Sequence, residues 1–434
     1  MATSERRRCG GNLLRAGILF DSVGLLARRL TPMAIALAIA GFALSFAPPG
    51  ALGAPWLLWL LAVGALLWVG LAPLDVTRDD VLPALAVVLC TIGLLVVARI
   101  SLDLARKQLD WLLVSLVLAI ALGPALARFR RLAAYKYIWV LASFVLFLLL
   151  LVFGQEVNGA RLWIRLGPVQ YEPVELIKLF IVFFLAAYLA ETADVIAKAR
   201  AWSIRSNLKY LGPLFLGWGA SMAILVLQRD LGMATLLLAT FAAMLYVATR
   251  RIDIVAGGFG VFALAATWAM RHFSYVQARL SVWQNPFADP HGAGYQAAQG
   301  YYSLAAGGLF GTGYRLGHPL FIPDVATDYV YAAYSEEFGL LGALIVLVLF
   351  LVIVRRIFAV GAEQPDLYAK LVAVGLAATL GFQVVIIVGG VIGLFPLTGI
   401  TLPFISYGGS SLVANVLLIS LAWALSSRPR ARSS

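Results

Sequence analysis

Long apolar runs alternate with short polar links along almost all of this 434-residue chain. A helix crossing the hydrocarbon core needs about 20 mainly apolar residues. By that measure the pattern predicts spans over 32–48, 55–73, 81–98, 110–127, 136–154, 173–190, 210–227, 231–249, 253–270, 338–354, 370–394 and 408–425. Two links, Gln228–Asp230 and Arg250–Ile252, are short enough to make tight helical hairpins. No soluble interior takes so many unbroken runs, so the predicted fold is an all-α polytopic membrane protein of about twelve transmembrane helices.

Cytoplasmic links carry an excess of Lys and Arg, and this orients the bundle. With the N-terminus inside, the inner segments hold 23 of the 33 basic residues, Arg6, Arg7, Arg8, Arg130, Arg131, Arg250, Arg251, Arg355 and Arg356 among them. The outer segments hold nine: Arg99, Arg106, Lys107, Arg161, Arg165, Arg229, Arg271, Arg279 and Arg315. Lys178 falls inside a span. Both termini are therefore predicted to be cytoplasmic. The net charge of +12 then reads as a topology signal with an affinity for anionic membrane lipids, and no nucleic-acid partner is needed to explain it. Charged residues make up 12% of the chain against about 25% in soluble domains. Cys9 and Cys90 lie apart, one in the basic tail and one in an apolar run, and read as inert thiols. The Arg-rich first 30 residues do not read as a cleaved signal peptide.

One connection breaks the rhythm. Residues 271–337 hold no spanning run, face outward, and are rich in Tyr, Phe, Trp and Gly. A connection this long in a compact protein is functional or disordered, and its composition argues against disorder. It is predicted to fold back on the bundle with a short helix near Tyr295–Ala306. A second outward loop, Gln155–Pro173, is shorter and carries Trp163 and Glu172.

Polar residues in this setting are few enough to weigh singly. Glu175 and Lys178 are three apart at the start of a span, so they share a helix face. They line a polar cavity, anchor the helix end as an ion pair, or do both. Asp230 either caps the helix that follows it or lines the same cavity. Asp324, Asp328, Glu336 and Glu337 cluster at the mouth of a span, where a solvated helix start favoured by the dipole explains them. Asp328 differs, because Thr327, Tyr329 and Tyr331 surround it with groups that desolvate a carboxylate and make it more basic. Gly307–Gly313 lacks the Gly-Lys-Ser/Thr ending of a phosphate loop, so close backbone packing is the expected reason for its glycines. Pro396–Ser411 puts irregular backbone at membrane depth, tolerated only where protein buries it or a polar cavity runs beside it. His272, His291 and His318 lack the spacing of a helical metal pair. An oxygen-ligated Mg²⁺ or Mn²⁺ held between carboxylates and substrate phosphates stays open.

Taken in order, these motifs resemble the SEDS family (shape, elongation, division and sporulation), which includes the RodA and FtsW peptidoglycan polymerases. The resemblance covers roughly 81–427. It rests on Arg106-Lys-Gln108, Asn158-Gly-Ala-Arg-Leu-Trp-Ile164, Glu172-Pro-Val-Glu175 with Lys178, and Gln228-Arg-Asp-Leu-Gly232. It continues through Gly292-Ala-Gly-Tyr-Gln296, Gly307-Gly-Leu-Phe-Gly311, Thr327-Asp328, Glu336-Glu-Phe-Gly339 and Leu402-Pro-Phe-Ile-Ser-Tyr-Gly-Gly-Ser-Ser411. The resemblance implies a ten-helix core. Residues 1–31 then form a basic cytoplasmic tail, 32–74 an added pair of spans, 75–427 the catalytic membrane core and 428–434 a basic cytoplasmic end.

The resemblance further implies a lipid II polymerase of the bacterial cytoplasmic membrane, joining disaccharides on its outer face beside a class B penicillin-binding protein. Asp328 falls on the family's essential aspartate and is the implied general base, in an inverting transfer. Lys107, Trp163, Glu175, Lys178, Asp230, Arg279, Gln299, Ser406, Tyr407, Gly408 and Ser410 match cavity positions and are the implied substrate-binding set. Several family positions differ here: Glu172 and Val174 stand in a Gln-Pro-Ser-Glu motif, Arg229 and Met233 in a Gln-Pro-Asp-Leu-Gly-Thr motif, and Ala326 replaces a His. Two rival readings stay open, a transporter of lipid-linked precursors and a catalytically silent scaffold for the penicillin-binding protein. The sequence shows no inverted repeat or paired broken helices of the kind a transporter uses.

Overall fold

The computed structural model describes residues 76–429, apart from 158–159, 168 and most of 199–227, with a few isolated positions elsewhere. The predicted spans 32–48, 55–73 and 210–227 lie outside the described residues, isolated positions aside. The other nine predicted spans are all helical. In chain order they are α1 (Val81–Ile100), α2 (Leu102–Ala127), α3 (Lys136–Phe153), α4 (Val174–Lys198), α5 (Leu231–Thr249) and α6 (Ile252–His272). After two shorter outer helices, α7 (Ser274–Gln284) and α8 (Tyr295–Gly307), come α9 (Val330–Ala362), α10 (Leu367–Val391) and α11 (Gly409–Leu425). Seven helical segments among the described residues are long and apolar enough to cross a membrane: Val81–Ile100, Arg130–Phe153, Val174–Lys198, Leu231–Thr249, Ile252–His272, Val330–Ala362 and Leu367–Val391. The chain is an all-α, multi-pass membrane protein.

The core lies where α4, α5 and α10 meet, in one continuous cluster that includes Ile177, Leu185, Leu237, Met244, Leu376 and Leu380. Helix α6 packs little, and α3 buries one stripe that includes Phe147 and Leu150, while Leu141, Val152, Val261 and Leu264 are exposed. In hydrocarbon an exposed Leu carries no cost, so these helices face lipid without penalty.

Polar contacts sort to the two ends of the bundle. At one end Arg356 binds the Asp79 carboxylate at 2.7 and 2.8 Å, Asp79 N–H donates to Ser426 Oγ at 2.9 Å, and Arg130 meets Asp366 at 3.0 Å. There, too, β1 (Val76–Thr77) pairs antiparallel with β5 (Arg428–Pro429). At the other end Arg99 meets Glu337 at 3.0 Å, and Trp283 Nε1 donates to Gly393 O at 2.9 Å. The first set joins segments predicted to be inside, and the second joins segments predicted to be outside.

Four features differ from the sequence expectations. Helix α2 begins at Leu102 rather than near 110, so Lys107 lies on a helix and not in a loop. The loop after α3 forms a three-stranded antiparallel sheet, β2 (Gln155–Val157), β3 (Ala160–Leu166) and β4 (Val169–Tyr171). The 271–337 connection holds two helices, α7 and α8, the second at the predicted place. Finally, α9 starts at Val330 and is interrupted at Gly339, whose φ of 68° and ψ of −174° leave the helix. The glycine-rich loop repairs that break. Thr312 and Gly313 N–H donate to Glu336 O and Glu337 O at 2.9 and 3.1 Å, while Leu340 and Leu341 N–H donate to Gly308 O and Leu309 O at 2.9 and 3.2 Å. Backbone groups freed at membrane depth must find such partners. A β-carbon on Gly307 would stand 2.2 Å from Ser335 O, so close packing is the reason for a glycine there.

Candidate active site

Asp328 lies in the turn that leads into α9, and its N–H donates to Asp324 O at 3.0 Å. The irregular segment between α10 and α11 runs alongside it and is stitched to the same turn. Tyr407 N–H donates to Ala326 O at 2.8 Å, and Ser406 Oγ donates to Thr327 O at 2.6 Å. The Ser406 hydroxyl also accepts from Leu402 N–H at 2.9 Å. Helix α2 grips this segment from its other side, through Gln108. The Gln108 amide donates to Ser406 O at 3.1 Å and accepts from Gly408 N–H at 3.2 Å. The predicted irregular backbone is thus present, and protein satisfies its polar groups.

Gly399 stands beside the Asp328 carboxylate. A β-carbon built on Gly399 would be 3.6 Å from Asp328 Oδ2, and its φ is +75°. Arg279, on α7, donates from Nη1 to the neighbouring Thr398 O at 3.3 Å. Asp230 caps α5 by accepting from Met233 N–H at 2.9 Å. Glu172 is tied to the start of α11, where its N–H donates to Ser410 Oγ at 2.8 Å. One helical turn beyond Glu172, Glu175 and Lys178 form a buried ion pair at 2.5 Å, as the three-residue spacing predicted. The Lys178 ammonium also donates to Gln383 Oε1 on α10 at 2.9 Å. Gln383 Nε2 in turn donates to Thr401 O at 2.9 Å, and Thr401 Oγ1 to Ser411 Oγ at 2.7 Å.

The acids at this site act on one another. Burial pushes the Asp328 carboxyl up to about 6; Thr327 opposes the shift, Asp324 adds to it and Arg279 opposes it. Burial likewise pushes Asp230 up to about 6, against the Met233 N–H and the Arg279 charge, with Glu175 adding to the rise. Glu172 is held well above the ordinary carboxylate value, first by burial and then by the charges of Glu175 and Asp230. Lys178 pulls it back and Asp328 adds a further push. These mutual effects place Glu172, Glu175, Lys178, Asp230, Arg279 and Asp328 around one polar site.

The structure brings together most of the predicted set: Asp328, Arg279, Asp230, Glu175, Lys178, Ser406, Tyr407, Gly408 and Ser410. Lys107 is exposed on the second turn of α2, Trp163 is half-buried in β3 opposite Gln155, and Gln299 is half-buried on α8. Among the described residues no hydrogen bond links these three to Asp328. The solvated-helix-start explanation fails for Glu336 and Glu337, which are each 5% exposed and bonded inside the protein. Three residues outside the predicted binding set also reach the site: Gln108 and Glu172, which the sequence places only in family motifs, and Gln383, which it does not single out. Gln383 carried a usable signal, because a lone Gln in an otherwise apolar span is a functional flag. Among the described residues, no group of three or more His, Cys, Asp or Glu side chains is placed to hold a metal ion.

The family model for the FtsW/RodA/SpoVE cell cycle proteins matches residues 80–430. The chain belongs to that family. It is 35% identical over 390 residues to the peptidoglycan glycosyltransferase RodA of Mycobacterium tuberculosis, covering 85% of this chain and 83% of that one. It is 36% identical over 296 residues to stage V sporulation protein E of Bacillus subtilis, covering 66% and 77%. Among solved structures it is similar to a chain of a peptidoglycan synthase complex that coordinates polymerization and crosslinking. That match has a TM-score of 0.66 and 30% identity, over 80% of this chain and 97% of that one. The crystal structure of the rod shape determining protein RodA of Thermus thermophilus matches at a TM-score of 0.59 and 30% identity, over 82% and 99%.

Proposed function

We propose that the protein is a peptidoglycan glycosyltransferase that polymerises lipid II, with Asp328 as the general base. The observation that carries this reading is the setting of Asp328. Its carboxylate is half-buried, borders the small Gly399 and shares its surroundings with the Arg279 cation. A carboxyl titrating at about 6 is ionised near neutral pH yet more basic than a free aspartate. That is the range in which a general base works best.

The acceptor sugar hydroxyl attacks the anomeric carbon of the donor. A new C–O bond forms, the bond from that carbon to the pyrophosphate oxygen breaks, and the hydroxyl proton passes to Asp328. The transition state is oxocarbenium-like, and attack opposite the leaving group inverts the anomeric configuration. Arg279 supplies positive charge for the departing pyrophosphate. A divalent cation held between site carboxylates and substrate phosphates would add to that charge, and Mg²⁺ or Mn²⁺ enters the assay as a variable. Lys178 is fully buried and committed to Glu175 and Gln383, which supports a role in holding the wall of the site rather than in touching substrate.

The sorting of polar contacts to two ends, with the site at the end predicted to be outside, supports reaction on the outer face of the cytoplasmic membrane and cytoplasmic termini. The likeness to a chain of a synthase complex supports a crosslinking partner of the class B penicillin-binding type. The family match begins at residue 80, which supports reading 32–74 as an added pair of spans. The test supplies fluorescent lipid II to the purified protein with its cognate transpeptidase, with and without Mg²⁺ or Mn²⁺. Wild type is expected to make polymer and Asp328→Asn none. Absence of polymer with every partner and metal would sink the enzyme reading.

A further inference from the structure

Glu336 sits two helical turns past Asp328, inside the membrane-facing bundle, and the chemistry above does not use it. Its carboxylate is 5% exposed, and both oxygens are occupied. Oε2 accepts from Ser303 Oγ on α8 at 2.9 Å, and Oε1 accepts from His318 N–H at 2.8 Å. The backbone of the same residue accepts from Thr312 N–H and Thr312 Oγ1, at 2.9 and 3.0 Å. One side chain thus joins α9, α8 and the returning outer loop. Its neighbour Glu337 adds a second tie: Arg99 at the end of α1 donates to Glu337 Oε1 at 3.0 Å and to Gly317 O at 2.9 Å.

Through Ser303, Glu336 is bonded to a helix that also packs on the segment around Asp328. Helix α8 meets the Asp328 turn at two further points. Gln296 Nε2 donates to Pro323 O at 2.9 Å. Gly300 lies flat against Tyr329, where a β-carbon would be only 2.4 Å from ring atom Cε1. Tyr329 directly follows Asp328, so any sliding of α8 along α9 moves the ring and the carboxylate beside it. The Ser303–Glu336 bond is the point on this contact where a buried polar pair sets the register. Two apolar surfaces can slide against each other, but a buried carboxylate that loses its donors cannot be left unpaired cheaply.

From this geometry we infer that Glu336 is a positioning residue, which acts through α8 and Tyr329 to hold Asp328 at the height the glycosyl transfer needs. The inference rests on the glycosyltransferase reading. Both donors to Glu336 are neutral, which separates it from a charge-dependent role. A glutamine at this position still accepts from His318 N–H through its oxygen. Its amide donates to Ser303 Oγ, a hydroxyl that accepts as well as donates. Alanine offers neither.

The experiment compares wild type, Glu336→Gln and Glu336→Ala by polymerisation across pH, and by hydrogen–deuterium exchange over 295–322. Glu336→Gln is expected to keep activity within about threefold, with the wild-type pH profile and slow exchange. Glu336→Ala is expected to lose at least tenfold in rate, to shift the acidic limb of its pH profile by half a unit or more, and to exchange faster over this stretch. A Glu336→Gln variant as inactive as Glu336→Ala would overturn the inference, because charge would then be required. So would a Glu336→Ala variant that loses rate with an unmoved pH profile, since that marks a loss of folded protein only. If wild type itself makes no polymer, the glycosyltransferase reading fails. The positioning of Asp328 for glycosyl transfer fails with it, while exchange still reports whether the clamp exists.

Discussion

The Asp328 carboxylate faces the backbone of Gly399, with Oδ2 3.6 Å from the place a β-carbon there would occupy. The distance alone admits an alanine as an ordinary contact. The conformation does not, because Gly399 has φ of +75°, where an L side chain is strained by about 1 kcal/mol. Gly399→Ala is therefore expected to relax by shifting the 398–401 backbone against the carboxylate it borders. Polymerisation by the purified variant should fall about tenfold while the melting temperature in detergent changes little. Wild-type activity in Gly399→Ala would mean that this approach is incidental.

Activity and stability should respond oppositely to acid. The base must be ionised to take a proton, so the rate is expected to rise with pH through about 6, the value to which burial pushes Asp328. For stability the sign reverses. Asp328 and Asp230 both titrate near 6 when folded, above the ordinary 3.8. A folded value above the unfolded one means that the folded state binds protons more tightly. The stabilisation is complete below about 3.8 and is lost as pH rises through about 6. A pH series of polymerisation rates beside a pH series of melting temperatures checks both slopes. Parallel slopes would refute the assignment.

Ser406 ties the two loops of the site, and its removal separates fold from function. Ser406→Ala deletes the bond to Thr327 O at 2.6 Å and strands Leu402 N–H, which had donated to Ser406 Oγ at 2.9 Å. A buried backbone group left without its partner costs about 1–3 kcal/mol. The variant is expected to melt earlier by an amount of that order. It should also lose activity, because the Thr327 carbonyl next to Asp328 is released. Ser420→Ala serves as the control, since among the described residues Ser420 bonds only back to Val416 O within α11.

Much of this site could be read from spacing, and what could not has a common cause. The Asp230 cap and the Glu175–Lys178 pair depend on partners three residues away, a distance that helical geometry fixes. Leu231–Thr249 was bounded correctly because a cap and a polar link frame it. Glu336 and Glu337 were misread because their partners, Ser303, His318 and Arg99, lie 18 to 238 residues away. No periodicity reports such a pairing. The early start of α9 was missed for the same reason. Its break at Gly339 survives because a loop about thirty residues upstream supplies the hydrogen bonds. The small sheet over 155–171 has two strands of only three residues, too short for alternation to register.

The buried ion pair gives the sharpest separation of structure from substrate contact. Lys178 is fully buried, and its ammonium is shared between Glu175 and Gln383. Removing one partner of a buried pair leaves an uncompensated charge and costs about 3–5 kcal/mol. Lys178→Met alone is therefore expected to fold poorly. Replacing both charges by groups of similar size removes that penalty, so Glu175→Gln with Lys178→Met should recover most of the lost stability. If Lys178 only supports the wall, the double variant regains polymerisation along with its fold. If Lys178 instead contacts pyrophosphate, the double variant folds but stays inactive, and its KM for lipid II rises. Melting temperature and polymerisation kinetics, measured on the same preparations, decide between the two.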